Sequence, residues 1–368
     1  MRDNVPTEQM ESTSTFRTES PAARLAHLLA PPLPPEVPLP KFWKIGPRLS
    51  RRSWLRQIQR ELIYRVSYIV ARFILMFGIR RATRLANYLG PLGGFFFREN
   101  RRIALKNLED CLGKETTLAE RKDILRQVYS NFALSAMETL WISHWGELFN
   151  WLEIELDGME HLEKALASGR GVIALHAHFG SWEVFGAANA KMGLPVYVVV
   201  RQQKDPRLNE WIVQIRKASG LQVITRGVNP VQMIRCLRRG NLLGLFMDLD
   251  TRSNEGVFVD FFGRPTYTQI GPFVLARRTG ALVIPTLCYR EGLNRLRFHY
   301  GEPWEVPRTD DPDRDILEAA QRANSFLEKK IRERPEQWTW FHKRWKTTPA
   351  KMQGSRMSSR DGLDEDSD

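Results

Sequence analysis

The chain has 368 residues, 42% of them hydrophobic, which is enough to bury one large core of about 250 residues plus attachments. Its three cysteines, Cys111, Cys236 and Cys288, lie far apart without metal-ligand spacing, which argues against a disulfide scaffold and fits a reducing compartment. The net charge of +13 is concentrated between Lys41 and Asp110, where sixteen Lys or Arg face four acids, so the rest of the chain is nearly neutral.

Residues 1–40 are polar and then proline-rich, which predicts a disordered or polyproline arm. Leu25 to Ala30 is too short an apolar patch for a secretory leader, and none is expected. Residues 41–100 carry the basic block. Within it, Glu61, Arg65, Tyr68 and Arg72 fall at helical spacing and draw one polar stripe along an otherwise apolar helix from Glu61 to Gly78. Two internal arginines make a lipid-spanning helix costly, whereas Arg80, Arg81 and Arg84 suit anionic headgroups. This predicts a segment lying in, or shallowly inserted into, the cytoplasmic face of a membrane. The alternative is a helix packed on the domain with a solvated basic face. A nucleic-acid reading of the charge is weaker, because the cations are interleaved with aliphatic residues and no nucleic-acid-binding motif is visible.

Helical patterns run from Ala82 to Gly94 and from Ala119 to Trp145, the latter with a stripe of Leu125, Val128, Phe132, Ala136 and Leu140. After Trp151 the texture alternates between strand and helix. Strands are expected at Ile154–Leu156, Val172–Ala177, Val196–Val200, Val223–Thr225, Leu242–Met247, Val283–Tyr289 and Leu296–Tyr300, with segments of helical length between most of them. That alternation predicts an α/β fold with crossover helices. A last amphipathic helix covers Ile316 to Arg334 and stops at Pro335. The acidic tail, residues 350–368, should be disordered, which leaves residues 101–349 for the catalytic domain.

Chemistry is most legible at His178-Phe179-Gly180-Ser181-Trp182-Glu183, an H-x4-E box directly after the apolar run Gly171 to Ala177. A His at the C-terminal edge of a buried strand sits where open α/β sheets place their ligands. His178 can act as a general base, and Glu183 can hold its imidazole in one tautomer and stabilise the imidazolium. His176, two residues earlier, would share a strand face with His178 and suggests a metal pair, but no third ligand stands at a recognisable spacing; packing or support of His178 is favoured, and no metal is expected. Ser181 does not sit in a G-x-S-x-G elbow, which argues against a serine hydrolase. Asp248 and Asp250, after an apolar run, also match the D-x-D metal site of nucleotide-sugar glycosyltransferases, which stays open as a rival reading.

Several blocks in order carry a resemblance. They are Arg101 to Leu108, the box itself, Val200-Arg201 with Asp205-Pro206-Arg207-Leu208, Asp248 to Arg252, Gly256 to Gly263, Val283-Ile284-Pro285, and Pro335 to Lys346. Over roughly Ala82 to Pro349 the chain resembles bacterial lysophospholipid acyltransferases of the lipid A late-acyltransferase (lauroyl/myristoyl transferase-like) type, a group that also holds mycobacterial phosphatidylinositol-mannoside acyltransferases. The resemblance implies a glycerolipid-acyltransferase-like fold with a central mixed sheet flanked by helices, and a helical N-terminal segment that associates with the membrane. It implies acyl transfer from acyl carrier protein or coenzyme A, as co-substrate with no further cofactor, to a lipid hydroxyl at the inner membrane, with no nucleic-acid partner. Lipid A precursors come first as acceptor, then a lysophospholipid or glycolipid. It implies His178 and Glu183 as the catalytic pair. For substrate it implies Arg201 on a phosphate, Arg252 on the headgroup with Asp250 or Asp248 beside it, and Pro285 near the donor. The aromatic run Trp338, Trp340, Phe341 and Trp345 is expected to close the core and lie near the membrane interface.

Overall fold

The structure, a computed structural model, describes residues 51–202, 205–225, 230–251, 256–350 and 352. The expected N-terminal arm, residues 1–40, nearly all of the acidic tail and Arg252 lie outside the described residues. Five helices and a short one precede the sheet: α1 (Arg51–Leu75), α2 (Ile79–Leu89), α3 (Gly93–Phe96), α4 (Arg98–Leu112), α5 (Leu118–Trp141) and α6 (Trp145–Trp151). The α/β part then runs β1 (Glu153–Asp157), α7 (Met159–Ala167), β2 (Val172–His176), α8 (Trp182–Lys191), β3 (Val196–Val200), α9 (Pro206–Ala218), β4 (Gln222–Thr225), α10 (Pro230–Arg238) and β5 (Leu242–Phe246). It closes with β6 (Gly256–Asp260), β7 (Pro265–Gln269), α11 (Gly271–Thr279), β8 (Leu282–Arg290), β9 (Arg295–Tyr300) and α12 (Pro312–Glu333).

Seven strands form one sheet in the order β1-β9-β8-β2-β5-β3-β4. From β8 to β4 every pairing is parallel, while β9 lies antiparallel to β8 and carries β1 parallel to itself, so the sheet is mixed. All seven expected strands are members of it. The hairpin β6–β7, a separate antiparallel pair, was not anticipated; its residues carry no long alternation to signal it.

β2 is buried at every position, as its unbroken apolar run requires with helices on both faces. On one face pack α4, α10, α11, α12 and the closing aromatic segment; on the other pack α2, α7, α8 and α9. α5 bridges the two, placing Leu125, Val128 and Tyr129 in one core and Leu134, Met137 and Trp141 in the other. Its start is fixed by a capping box in which the Thr117 hydroxyl accepts from Glu120 N–H and the Glu120 carboxylate accepts from Thr117 N–H.

The expected polar stripe on α1 is only partly solvated. Glu61 is half-buried and pairs with Arg207 of α9 at 2.7 Å, and the Arg207 guanidinium lies 3.7 Å over the ring of buried Tyr64. These contacts turn Tyr64 and Ala71 inward. Leu62, Val66, Ile69, Phe73 and Met76, spaced by four and three residues, are left as an exposed apolar stripe, between 51% and 78% accessible. No described helix is long and apolar enough to cross a membrane.

Candidate active site

Strand register brings the first two site residues together. In the parallel pair β2–β5, His176 lies opposite Phe246, so the residues two further along each chain, His178 and Asp248, leave the sheet side by side. Asp248 is fully buried. Its carboxylate accepts from the backbone N–H of His178 at 2.9 Å, from His178 Nδ1 at 3.0 Å and from Trp338 Nε1 at 3.0 Å. Burial pushes this carboxyl up, but the neighbouring His178 and these hydrogen bonds outweigh it and hold Asp248 well below the usual carboxylate range. A carboxylate on Nδ1 fixes the tautomer that leaves Nε2 free to take a proton.

The expected pairing of His178 with Glu183 is therefore corrected. Gly180, at φ +57°, turns the chain so tightly that a Cβ there would sit 1.9 Å from the Cys288 carbonyl oxygen. α8 begins just beyond, at Trp182. Glu183 in its first turn faces α9, where its oxygens meet Arg216 at 2.5 and 3.1 Å. Five residues of sequence separation gave proximity but not direction. Asp248, seventy residues away and by the resemblance a substrate contact, is the residue whose carboxylate meets the imidazole.

The closing segment forms the wall behind this pair. Gly180 N–H donates to the Gln337 carbonyl, Thr339 N–H donates to the His178 carbonyl, and Phe179 bridges Trp338. Trp338 and Trp340 are fully buried, so the aromatic run closes the core as expected but those two rings do not reach the molecular surface. The segment also brings His342, which the sequence reading did not single out, to a ring-centre distance of 4.8 Å from His178. Desolvation lowers His342 to about 4, so it is neutral at physiological pH. Phe246 stacks on His178 at 4.3 Å and Trp182 meets it edge-on at 5.1 Å, completing a ring of aromatics around its imidazole. Beneath the box, buried Glu138 accepts from Ser181 Oγ and pairs with Arg290, both at 2.6 Å. Ser181 is thus a structural tie.

A model of the bacterial lipid A biosynthesis acyltransferase family matches residues 49–347. The chain belongs to this family. Among its relatives, the lipid A biosynthesis palmitoleoyltransferase of Escherichia coli (strain K12) is 28% identical over 271 residues, 72% of this chain and 85% of that protein. The lauroyltransferase of the same strain is 28% identical over 269 residues, again 72% and 85%. A phosphatidylinositol mannoside acyltransferase of Mycobacterium tuberculosis (strain ATCC 25618 / H37Rv) is 25% identical over 316 residues, 84% of this chain and 96% of that protein. The protein is thus an enzyme of the acyl-group-transferring class. A solved 1-acyl-sn-glycerophosphate acyltransferase, PlsC from Thermotoga maritima, is 14% identical with a TM-score of 0.34 over 70% of this chain and 99% of that one, too distant to support a structural argument.

The remaining expected residues of this acyltransferase fall in different places. Arg201 is exposed just past the end of β3, on the same edge of the sheet as His178. Asp250 accepts from the backbone and hydroxyl of Thr347, both at 3.0 Å, and so ties down the C-terminal segment; desolvation raises its carboxyl. Asp248 and Asp250 thus serve separate partners and do not converge on one cation, which removes the geometric basis of the D-x-D glycosyltransferase reading. Pro285 is buried inside β8, where parallel pairing with β2 ends and antiparallel pairing with β9 begins, and an added Cβ on Gly301 would lie 2.7 Å from its ring. It neither ends the strand nor lies open to a donor.

His176 is buried, with its Nδ1 3.1 Å from Thr286 Oγ1 and its ring stacked on Phe185; desolvation lowers it to about 4. It supports the strand end. His178, Asp248 and His342 place ligand-type atoms within 4.8 Å of one another, the arrangement among the described residues that comes nearest to a cation site. The Asp248 oxygens are already engaged by N–H donors, and a protonated Nδ1 cannot ligate, so the donor set fits a proton-transfer pair better than a metal.

Two apolar spaces flank the pair. A small one of about 60 Å³ lies between the sheet and α8, bounded by His176, Trp182, Gly186, Phe246, Asn189 and Tyr300. A larger one of about 890 Å³ opens between α1, α2, α3 and α5.

Proposed function

We propose that this acyltransferase moves a fatty acyl group from a thioester donor, acyl carrier protein or coenzyme A, to a hydroxyl of a membrane lipid, with a lipid A precursor as the first choice of acceptor. The observation that carries this reading is the Nδ1 contact between His178 and the buried Asp248 carboxylate. In the proposed reaction Nε2 of His178 takes the proton of the acceptor hydroxyl as its oxygen attacks the thioester carbonyl. The tetrahedral intermediate collapses by breaking the C–S bond, and the imidazolium returns the proton to the thiolate. Asp248 stabilises the imidazolium that forms in between. Arg201, exposed at the same sheet edge, is suited to a phosphate of donor or acceptor.

The setting proposed for this chemistry is the cytoplasmic face of the inner membrane. The exposed apolar stripe on α1, the accessible Phe95, Phe96 and Phe97, and the arginines beside them favour a protein lying on an anionic bilayer. A basic surface also suits the acidic carrier protein. A glycolipid of the phosphatidylinositol-mannoside type is the second acceptor, supported by the match to the mycobacterial relatives.

The test uses purified full-length protein in anionic vesicles with acyl carrier protein or coenzyme A thioesters and each acceptor class, product being read by lipid mass spectrometry. Transfer to one acceptor class and its loss in His178→Ala, with unchanged circular dichroism, is expected. Undiminished transfer by that variant sinks the mechanism.

A further inference from the structure

We propose that the cavity of about 890 Å³ seats the hydrocarbon chains that the acceptor lipid already carries, its headgroup resting on the arginines at the mouth and its free hydroxyl turned toward His178. This rests on the acyl-transfer reading. Four observations carry it.

The first is closeness to the base. Phe132 and Phe341 line the cavity; Phe132 lies 6.2 Å from Trp182, which in turn lies 5.1 Å from His178, and Phe341 precedes His342. One aromatic wall therefore separates the cavity from the reacting centre.

The second is where the cavity opens. Phe73, Phe77, Leu85, Leu89, Leu92 and Phe96 all line it and are all more than a third exposed, so its lip is continuous with the outward apolar face of α1 to α3. A chain can enter from a bilayer without crossing water, which spares the hydration cost of its methylenes. A donor thioester, delivered from the aqueous side by a soluble carrier, has no such need.

The third is charge. Arg72, Arg84 and Arg101, next in sequence to the lining residues Phe73, Leu85 and Asn100, are exposed and have no acidic partner among the described residues. They suit an anionic headgroup attached to chains that lie inside.

The fourth is Tyr129. Its ring is buried, 5% exposed, stacks on Phe341 at 6.0 Å and lines the cavity, yet its hydroxyl has no hydrogen-bond partner. A buried hydroxyl without a partner is costly and marks a place for one. A hydrocarbon chain bearing an ester or hydroxyl oxygen along its length supplies that acceptor; a plain fatty tail does not.

The test fills the cavity at two independent points, Ala136→Trp and Leu85→Trp, and removes the hydroxyl with Tyr129→Phe. Retention of 1,2-dimyristoyl phosphatidic acid by full-length protein in nonionic detergent is read by native mass spectrometry, and transfer kinetics are measured separately for each substrate. The Trp variants are expected to weaken lipid retention at least tenfold and to raise the acceptor KM by a similar factor, with the donor KM within twofold of wild type. Tyr129→Phe should raise the acceptor KM severalfold while keeping its melting temperature. Equal lipid retention by wild type and both Trp variants overturns the assignment, as does a rise in donor KM alone, which would put the donor tail there. Wild type that transfers nothing but retains lipid in an Ala136-dependent way overturns the transfer reading and supports the cavity as a lipid seat.

Discussion

Asp248→Asn separates the residue that holds the imidazole from the one that stands near it in sequence. Three N–H donors converge on this carboxylate, two on Oδ2 and the His178 Nδ1–H chiefly on Oδ1. An asparagine keeps its carbonyl oxygen for the two donors at the Oδ2 position, which turns its NH₂ toward His178 Nδ1. The imidazole then accepts at Nδ1 and carries its proton on Nε2, the nitrogen that has to be empty. The imidazolium of the transition state also loses its counter-charge. Together these effects should lower kcat by about 10³ to 10⁴, or roughly 4 to 5.5 kcal/mol of transition-state stabilisation, with KM little changed. The hydrogen-bond count is preserved, so the melting temperature should move little. Glu183→Gln removes only the partly exposed pair with Arg216 and should cost less than about tenfold. Steady-state kinetics of both variants in the reconstituted assay decides the matter. If Glu183→Gln loses as much kcat as Asp248→Asn, the register argument for the pair is wrong.

His176 and His342 are lowered by burial from 6.5 to about 4, so below pH 6.5 the unfolded chain binds protons that the native chain does not. Stability should be full above pH 6.5 and fall by a few kcal/mol in all as pH drops to about 4, seen as a falling urea midpoint; His176→Gln should flatten part of that slope. Because Asp248 is held low and stays ionised, it should add no break to the pH–rate profile between about pH 4 and 9. Glu138→Ala leaves the buried Arg290 guanidinium and Ser181 hydroxyl without their shared acceptor and should destabilise by about 3 to 5 kcal/mol in chemical unfolding. Replacing Leu62, Val66, Ile69 and Phe73 together by Ser should weaken co-sedimentation with anionic vesicles by more than tenfold while leaving the sheet intact.

Much of the architecture was legible because its signals are local. The apolar runs of the seven strands, the turn glycines and the long amphipathic α12 each declare themselves within a dozen residues, and the alternation of strand with helix implies crossover connections. The position of His178 was legible too, since a polar residue just past a strand buried along its whole length must stand at the sheet's edge. The hairpin β6–β7 was not, because Gly256 to Gln269 alternates too weakly to separate it from a loop. The split role of the α1 stripe was hidden for another reason: periodicity shows that one face differs from the other, but the partner, here Arg207 of α9, decides which face turns inward.

The sequence by itself determined the α/β class, the family blocks and the position of His178 past β2, all of which depend on residue type and spacing along one stretch of chain. Only tertiary structure decided the partner of His178 and its surroundings. Parallel pairing of β2 with β5 sets Asp248 beside His178 across seventy residues, while the turn at Gly180 swings Glu183 away toward Arg216 across five. The return of the C-terminal segment then brings Trp338 to the carboxylate and His342 to the imidazole. Strand register and chain return are properties of how segments pack, and sequence spacing carries no record of either.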